Sequence, residues 1–227
     1  MVVNGKRLNC PTHWHELKTR HYQRIIKEWD TDKDIADRDY FKLFNILTDS
    51  KFDAFEDTIE NQVKIETSVA WIVLEEFRFS KQVPEYLEVN GRRAHIEKNL
   101  RTLSIGANIK ARQALDSGFL LVDDKGKLVN CDCYSMLVAI YLQPELMPTD
   151  KGGFNWANAQ KLEKIISEMP ITEIYPIGFF LLNHVYKYGQ KRGRGWKQIL
   201  TNLGNKIRKT LQDWLSFKDL YHSRTWL

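Results

Sequence analysis

Residues 89–115 read VNGRRAHIEKNLRTLSIGANIKARQAL, and residues 3–26 read VNGKRLNCPTHWHELKTRHYQRII. Both stretches open with Val-Asn-Gly, a basic residue and an Arg. In both, a large apolar residue later stands three positions before a Leu, as Trp14 does before Leu17 and Leu100 does before Leu103. Internal repeats are sought before other features, because a missed repeat leads to a wrong fold. The recurrence predicts two copies of one structural unit.

Three segments have the pattern of β-hairpins. Asn-Gly, a dipeptide that tolerates the positive φ angles of a tight turn, lies inside residues 2–8 and again inside residues 86–96. Residues 119–130, FLLVDDKGKLVN, read as a third hairpin, inserted where the first copy has only a charged linker. The strands are therefore expected to be short.

Most of the remaining chain has the apolar spacing of helices. In the first copy, helices are expected from the N-cap Thr12 onward, at Tyr40–Leu47, at Phe52–Ile65 with Ile59 and Val63 on its apolar face, and at Val69–Phe79. In the second copy they are expected at Leu100–Leu115, Cys133–Leu142, Asn155–Met169 and Ile174–Val185, with a loop at Pro144–Gly153. The predicted fold class is mainly α (α+β), with two hairpin-plus-helices units at 1–84 and 85–188 that pack together. A basic amphipathic helix and an aromatic docking tail follow at 189–227.

The composition excludes several classes of protein. Of the 227 residues, 43% are hydrophobic and 12% are aromatic, which is enough for a folded core. No apolar run approaches the roughly 20 residues that a membrane span needs, so no membrane contact is expected. The N-terminus lacks the apolar centre of a secretory signal, and three cysteines are too few for a disulfide framework. Synthesis in a reducing cytoplasm is therefore expected.

The charge of the chain is divided unevenly. From Lys187 onward there are ten Lys or Arg against two Asp, a net charge of +8, which leaves −3 on residues 1–186 of a chain whose total is +5. A strongly basic segment favours an acidic partner. The tail is therefore expected to meet nucleic acid, an acidic protein surface or a partner subunit.

The tail contains two candidate sets of site residues. The first set is cationic and suits phosphate contacts without base readout, with Trp196 able to stack on a base: Lys191, Arg192, Arg194, Lys197, Lys206, Arg208, Lys209. Its alternative interpretation is the solvated face of the last helix, with Trp196 beginning a buried seam. The second set is apolar, with helical spacing and then an aromatic terminus, and is expected to dock onto protein: Trp196, Leu203, Ile207, Leu211, Trp214, Phe217, Leu220, Tyr221, Trp226, Leu227.

Signals for chemistry are weak. Cys10, His13-x-His15 and Cys131-x-Cys133 lack the paired spacing of a zinc site, and the last two cysteines are interpreted as small residues at a strand–helix junction. The carboxylate pairs Glu75-Glu76 and Asp123-Asp124 give no sign of a shared cleft. The chain also has no nucleophile elbow and no phosphate-binding glycine loop. We expect neither an enzyme nor a metal or cofactor.

The hydrophobic pattern resembles a known group of proteins. Trp14, Leu17 and Tyr22, then Ile46-Leu47-Thr48, a hairpin, and a second copy that ends in Pro176–Leu182 resemble proteins of tailed bacteriophages that infect Bacteroidetes, including crAss-like phages. The resemblance covers most of residues 1–190. The hairpin at 119–130 and the basic tail depart from it.

Such proteins are often virion structural components or resemble tail assembly chaperones. The resemblance therefore implies a virion protein, with portal, ring or tail subunits and further copies of this chain as partners. The basic tail favours a component built into the particle, either a portal-proximal ring or head–tail protein or a packaged cargo protein, with DNA contact through the tail. The alternatives are a tail assembly chaperone and a DNA-binding accessory protein.

Overall fold

Short hairpins alternate with helices along the described part of the chain. The structure, a computed structural model, describes residues 1–28, 39–52, 58–74, 80, 82–98, 104–118, 120–122, 128–150 and 152–185. Within them the elements are β1 (Val2–Val3), β2 (Lys6–Arg7), α1 (Thr19–Glu28), α2 (Tyr40–Thr48), α3 (Ile59–Leu74), β3 (Tyr86–Val89), β4 (Arg92–His95), α4 (Ile105–Ser117), β5 (Leu120–Val122), β6 (Leu128–Cys131), α5 (Tyr134–Leu146), α6 (Trp156–Ser167) and α7 (171–185). The prediction of a mainly α fold is confirmed.

All three predicted hairpins are present as two-stranded antiparallel sheets. The turn of the first has φ angles of 49° at Asn4 and 73° at Gly5, and that of the second has 50° at Asn90 and 74° at Gly91. These positive angles at both central positions are those of a type I′ turn, whose twist matches that of the flanking strands. The Asn-Gly dipeptides therefore fix the two hairpins locally.

Helix α5 forms the centre of the core. Its consecutive residues Leu137, Val138 and Ala139 are at most 2% exposed, although neighbouring residues of a helix point in different directions around its axis. Helix α6 packs along it, and α4, β4 and α1 cover other sides. The buried face of α7, predicted from its apolar spacing, includes Ile174 and Leu182 and is also confirmed. A helix that is covered on most sides must be apolar around most of its circumference, which explains the near-continuous apolar run of α5.

The beginning of α1 is bonded to the turn between α6 and α7. The Thr19 amide donates to the Met169 carbonyl at 2.8 Å, and the Ile171 amide donates to the Leu17 carbonyl at 2.8 Å. Lys18 thereby pairs with Pro170 as in a two-stranded ladder. Residues far apart in sequence are thus joined by backbone hydrogen bonds, and Met1–Val185 form one compact unit. The boundary predicted at residue 84 falls inside this unit.

Helix α1 begins at Thr19, six residues later than predicted for a helix capped by Thr12. Thr12 does not cap it, because the Glu16 carboxylate accepts from the Thr12 amide at 2.8 Å and from the Thr12 hydroxyl at 3.1 Å. The ladder pairing of Lys18 holds the backbone extended just before the helix. A long-range backbone pairing has therefore overridden a helical pattern.

Helix α3 also differs from the prediction. It runs without a break through residues 66–68, where two separate helices were expected. Ile59 and Val63, predicted to face inward, are 79% and 56% exposed, whereas Ile65, Val69 and Ile72 form the buried face. Their spacing of four and three residues suits a single helix packed on α2.

The predicted loop at Pro144–Gly153 begins too early, because α5 continues through Pro144 to Leu146. Proline costs a helix the hydrogen bond of its missing N–H. The amide of Met147 closes the helix by donating to Gln143, and the Gln143 side chain donates to the Met147 carbonyl at 2.7 Å. The helix end around the proline is therefore held by these bonds to its final turn.

Candidate functional site

The residues that the sequence singles out for binding lie outside the described part of the chain. The cationic set runs from Lys191 to Lys209, and the apolar set runs from Trp196 to Leu227. The carboxylate pairs Glu75-Glu76 and Asp123-Asp124 also lie outside it. The binding roles expected of these residues therefore stay predictions.

The cysteines and histidines considered for a metal site are placed apart in the described residues. The Cys10 sulfur lies 3.9 Å from the Ser68 carbonyl oxygen, whereas the sulfurs of Cys131 and Cys133 lie 3.4 Å from each other at the junction of β6 and α5. The rings of His13 and His15 stack on one another at 5.4 Å. Within the described ranges, no group of three or more His, Cys, Asp or Glu side chains is arranged to hold a metal ion.

The Cys133 thiol and the Tyr134 hydroxyl of the core are held in their protonated forms. Cys133 donates a hydrogen bond to Cys131, and this bond together with burial raises the pKa of the Cys133 thiol. Burial likewise raises the pKa of the Tyr134 hydroxyl above its ordinary value. The Asn130 amide oxygen accepts from Tyr134 at 2.8 Å, while its nitrogen donates to Tyr22 at 2.9 Å. These groups form a packed polar network between α1, β6 and α5 and do not offer a nucleophile at neutral pH.

A charged cluster lies where α1 meets the end of α2. Asp49 follows the last residue of α2 and has a positive φ of 52°. Its carboxylate oxygens lie 2.6 Å from the Arg20 guanidinium, 3.1 Å from His21 Nε2 and 3.4 Å from the Arg24 guanidinium. Burial alone would raise the pKa of Asp49, but the hydrogen bonds from His21 and Arg20 bring it below its ordinary value. The carboxylate is therefore ionised and accepts from all three side chains. A cleft of about 450 Å³, lined also by Glu16 and Lys18, adjoins it.

The His21–Asp49 pair resembles the base and orienting acid of a catalytic triad, but its geometry does not suit catalysis. Burial lowers the pKa of His21, so the ring is neutral and carries its proton on Nε2, which donates to the ionised Asp49. The other nitrogen, Nδ1, is buried and has no hydrogen-bond partner among the described residues. A general base must reach the proton that it removes. An enclosed Nδ1 does not, and we interpret the pair as structural.

A second cleft, of about 340 Å³, lies over α5 between α4 and α6, and we call it the Trp156 cleft. Helix α4 lines it with Lys110, Gln113 and Ser117, and α6 lines it with Trp156 and Glu163. The Lys110 ammonium lies 4.8 Å from the centre of the Trp156 ring. The cleft therefore presents an aromatic face that already holds a cation.

The floor of the Trp156 cleft is a network of hydrogen bonds. The Ser135 hydroxyl donates to Glu163 Oε1 at 2.8 Å, and the Ser135 amide donates to Gln23 Oε1 at 3.1 Å. The Gln23 amide group in turn donates to the Asp132 carbonyl at 2.5 Å. Side chains from α1, α5 and α6 thus hold one another in place, which gives the cleft a fixed shape.

Asp132 adds a second carboxylate to the same cleft. Its side chain is only 9% exposed, and its Oδ2 lies 3.5 Å from the Lys27 ammonium. Gly118 makes room for it, because a Cβ at residue 118 would stand 2.8 Å from Asp132 Oδ1. The cleft consequently combines two carboxylates with one aromatic ring, a set suited to cations rather than to phosphate.

Sequence reasoning missed both clusters, because their members come from distant segments. The signal that was available is spacing along single helices: Lys110, Gln113 and Ser117 share one face of α4, and Trp156 and Glu163, seven residues apart, share one face of α6. Their meeting over α5 is a property of the tertiary fold.

No family model, curated protein or solved structure matches this chain. The resemblance to phage proteins therefore remains a prediction. Among the helices that the structure describes, none has the length and apolarity to cross a membrane.

Proposed function

We propose that the chain is a non-enzymatic structural subunit of a tailed-phage virion, either a portal-proximal ring or head–tail component or a protein packaged in the particle. The observation that carries the proposal is the division of charge, with −3 on residues 1–186 and +8 on residues 187–227. A subunit of this kind must bind acidic protein or DNA through one segment while the rest serves as a folded body. The division of charge fits both requirements.

The packing of the described residues is in keeping with a scaffold. Backbone hydrogen bonds join Thr19 to Met169 and Ile171 to Leu17, so the body is fastened across its sequence. The Cys133 thiol and the Tyr134 hydroxyl are held protonated, and His21 is enclosed. These groups contribute to stability and offer little to catalysis, which supports a non-enzymatic role.

We also propose that the body arose from two copies of one hairpin-plus-helices unit, followed by an amphipathic C-terminal helix. The φ angles of Asn4 and Gly5 agree within about 1° with those of Asn90 and Gly91. In both copies the hairpin precedes a helix that packs in the core. Subunits that join rings commonly meet several neighbours, and a duplicated unit supplies two related surfaces for this purpose.

The proposal is tested by quantitative mass spectrometry of purified particles of the phage that encodes the chain. We expect the protein to be present. A fixed multiple, on the order of a dozen copies, indicates a ring because closed cyclic assemblies fix the number of subunits. An irregular number indicates packaged cargo. Absence from particles contradicts the proposal and favours a tail assembly chaperone.

The cationic set favours one further candidate, a DNA-binding accessory protein. Cations that contact phosphates release counterions, so the DNA affinity of such a protein falls steeply with salt concentration. A steep dependence together with absence from particles distinguishes this function from the structural one.

A further inference from the structure

We propose that the Trp156 cleft binds an arginine side chain from residues 191–197 (KRGRGWK) of a second copy of the chain. The inference rests on the proposed function and names the surface that would join neighbouring subunits. It follows from the aromatic ring, the carboxylates, an adjoining apolar ridge and the composition of the cationic segment.

The aromatic ring of the cleft suits an incoming guanidinium. Trp156 is half-buried, and the Lys110 ammonium lies 4.8 Å from the centre of its ring. Tryptophan is the aromatic side chain that binds cations best, and arginine is found over such rings more often than lysine. A guanidinium is also less strongly hydrated than an ammonium. An incoming arginine therefore gains from replacing Lys110, which can move its ammonium into water.

The carboxylates of the cleft complement a guanidinium. Glu163 uses one oxygen to accept from Ser135 at 2.8 Å, and an ionised carboxylate offers about four acceptor positions. The Asp132 side chain, which is 9% exposed and lies 3.5 Å from the Lys27 ammonium, adds a second negative charge to the cleft. A guanidinium donates up to five hydrogen bonds in a planar fork that fits a carboxylate. The cleft is thus complementary to arginine in both charge and hydrogen bonding.

The border of the cleft is apolar on one side. Ile105 and Ile109 are 81% and 51% exposed on α4. With Gln113, which lines the cleft, they are spaced at intervals of four residues and so share one face of the helix. An exposed apolar ridge therefore leads into the charged cleft, and it suits a large apolar residue next to the bound arginine.

The cationic segment of the chain has the residues that fit this cleft and its border. In residues 191–197, Gly193 separates Arg192 from Arg194, and Gly195 separates Arg194 from Trp196. Arginine for the cleft and tryptophan for the ridge thus stand two residues apart. A contact between a segment of one copy and a different surface of the next is heterologous, and heterologous contacts that close form rings. The ring assembly proposed above needs a contact of this class.

The test is the self-association of the full chain, measured by sedimentation across a range of concentrations. Glu163→Gln keeps an acceptor for Ser135 but removes the charge, and we expect association to weaken about tenfold, as loss of one charge-assisted hydrogen bond implies. Glu66→Gln is the matched control, because Glu66 is exposed on α3 and the change in net charge is identical. It is expected to leave association within about twofold of the wild type.

A second variant, Lys110→Ala, is expected to strengthen self-association rather than weaken it. Lys110→Ala removes the resident cation from Trp156, and we expect tighter association, by several-fold, since the incoming arginine no longer competes. A residue that merely supported the fold would weaken association on truncation. The free peptide KRGRGWK is expected to dissociate the wild-type assembly, and the same peptide with both arginines replaced by glutamine is expected to be inactive.

The inference is overturned if Glu163→Gln matches Glu66→Gln, if Lys110→Ala weakens association, or if the chain stays monomeric at every concentration. These outcomes leave the virion proposal standing when the protein is found in particles. Conversely, a protein that is absent from particles but associates through the cleft retains the inference and loses the virion role.

Discussion

Gly178 of α7 shows how closely single residues are fitted in this core. A Cβ at this position would lie 2.6 Å from Cδ1 of Tyr134, whose side chain is completely buried. The ring cannot easily move away, because the Tyr134 hydroxyl donates to Asn130 at 2.8 Å. Gly178 is therefore required by the neighbouring ring rather than by its own backbone conformation.

We expect Gly178→Ala to lower the free energy of unfolding by about 1–3 kcal/mol, the usual cost of overpacking a core. The gain of about 1 kcal/mol in helix propensity reduces this loss but does not reverse it. Gly106→Ala in α4 is the control, since a Cβ there would lie 3.5 Å from Phe154, at ordinary contact distance. Urea denaturation should find Gly106→Ala at least as stable as the wild type. Equal stability of the two variants would show that the Tyr134 ring shifts freely.

His21 makes the stability depend on pH. Burial lowers its pKa in the folded state below the ordinary 6.5, so the unfolded chain binds the proton more readily. The contribution of neutral His21 to the free energy of unfolding is therefore complete above about pH 6.5, and it is lost as the pH falls through the pKa of the folded state. Asp49, whose pKa also lies below its ordinary 3.8, adds a loss only in more acidic solution.

Between pH 7 and pH 5 we expect the wild type to lose more stability than His21→Gln, whose amide can still donate to Asp49. Burial lowers the pKa of His184 as well, so the double variant His21→Gln/His184→Gln is expected to lose less stability in this range than either single variant. Denaturation at each pH measures the effect. Parallel curves for the wild type and His21→Gln would mean that the folded protein binds the proton as readily as the unfolded chain.

Among the helices and hairpins, the features that could be predicted are those that the local sequence determines. The Asn-Gly turns were found because their φ requirement belongs to two adjacent residues, Asn4-Gly5 and Asn90-Gly91. The start of α1 was not found, because it depends on Lys18 pairing with Pro170. The exposure of Ile59 and Val63 was missed for a similar reason: their spacing is helical, but the position of α2 decides which side of α3 is buried.

The Trp156 cleft shows the same limit for a site. Each helix contributes a correctly spaced face, yet Lys110 meets Trp156 only because both α4 and α6 pack on α5. Spacing on one helix predicts which residues share a face and does not predict which faces will meet. The charge of the tail, by contrast, could be read directly from the sequence, because it needs no tertiary information.

Contacts between the two predicted repeats decide whether residues 1–185 unfold as one unit or as two. Contacts between the predicted repeats are extensive: Lys18 pairs with Glu168 at 2.7 Å, and Tyr22 accepts from Asn130 at 2.9 Å. The hydrogen bonds of Thr19 and Ile171 add to them. Because Thr19 and Tyr22 are 0% and 5% exposed, their contacts connect the interior of one repeat to that of the other, and we expect a single cooperative transition.

Hydrogen exchange of a core variant tests this expectation. Leu162 of α6 is 1% exposed, and Leu162→Ala should destabilise the protein by about 2–5 kcal/mol. In one cooperative unit the amides of α2, in the other predicted repeat, lose protection by the same factor as those of α6, about 30-fold or more. Ile59→Ala, which truncates a residue that is 79% exposed, should leave protection in both helices unchanged. Loss of protection in α6 with none in α2 would instead show that the repeats unfold separately, despite the hydrogen bonds that join α1 to the α6–α7 turn.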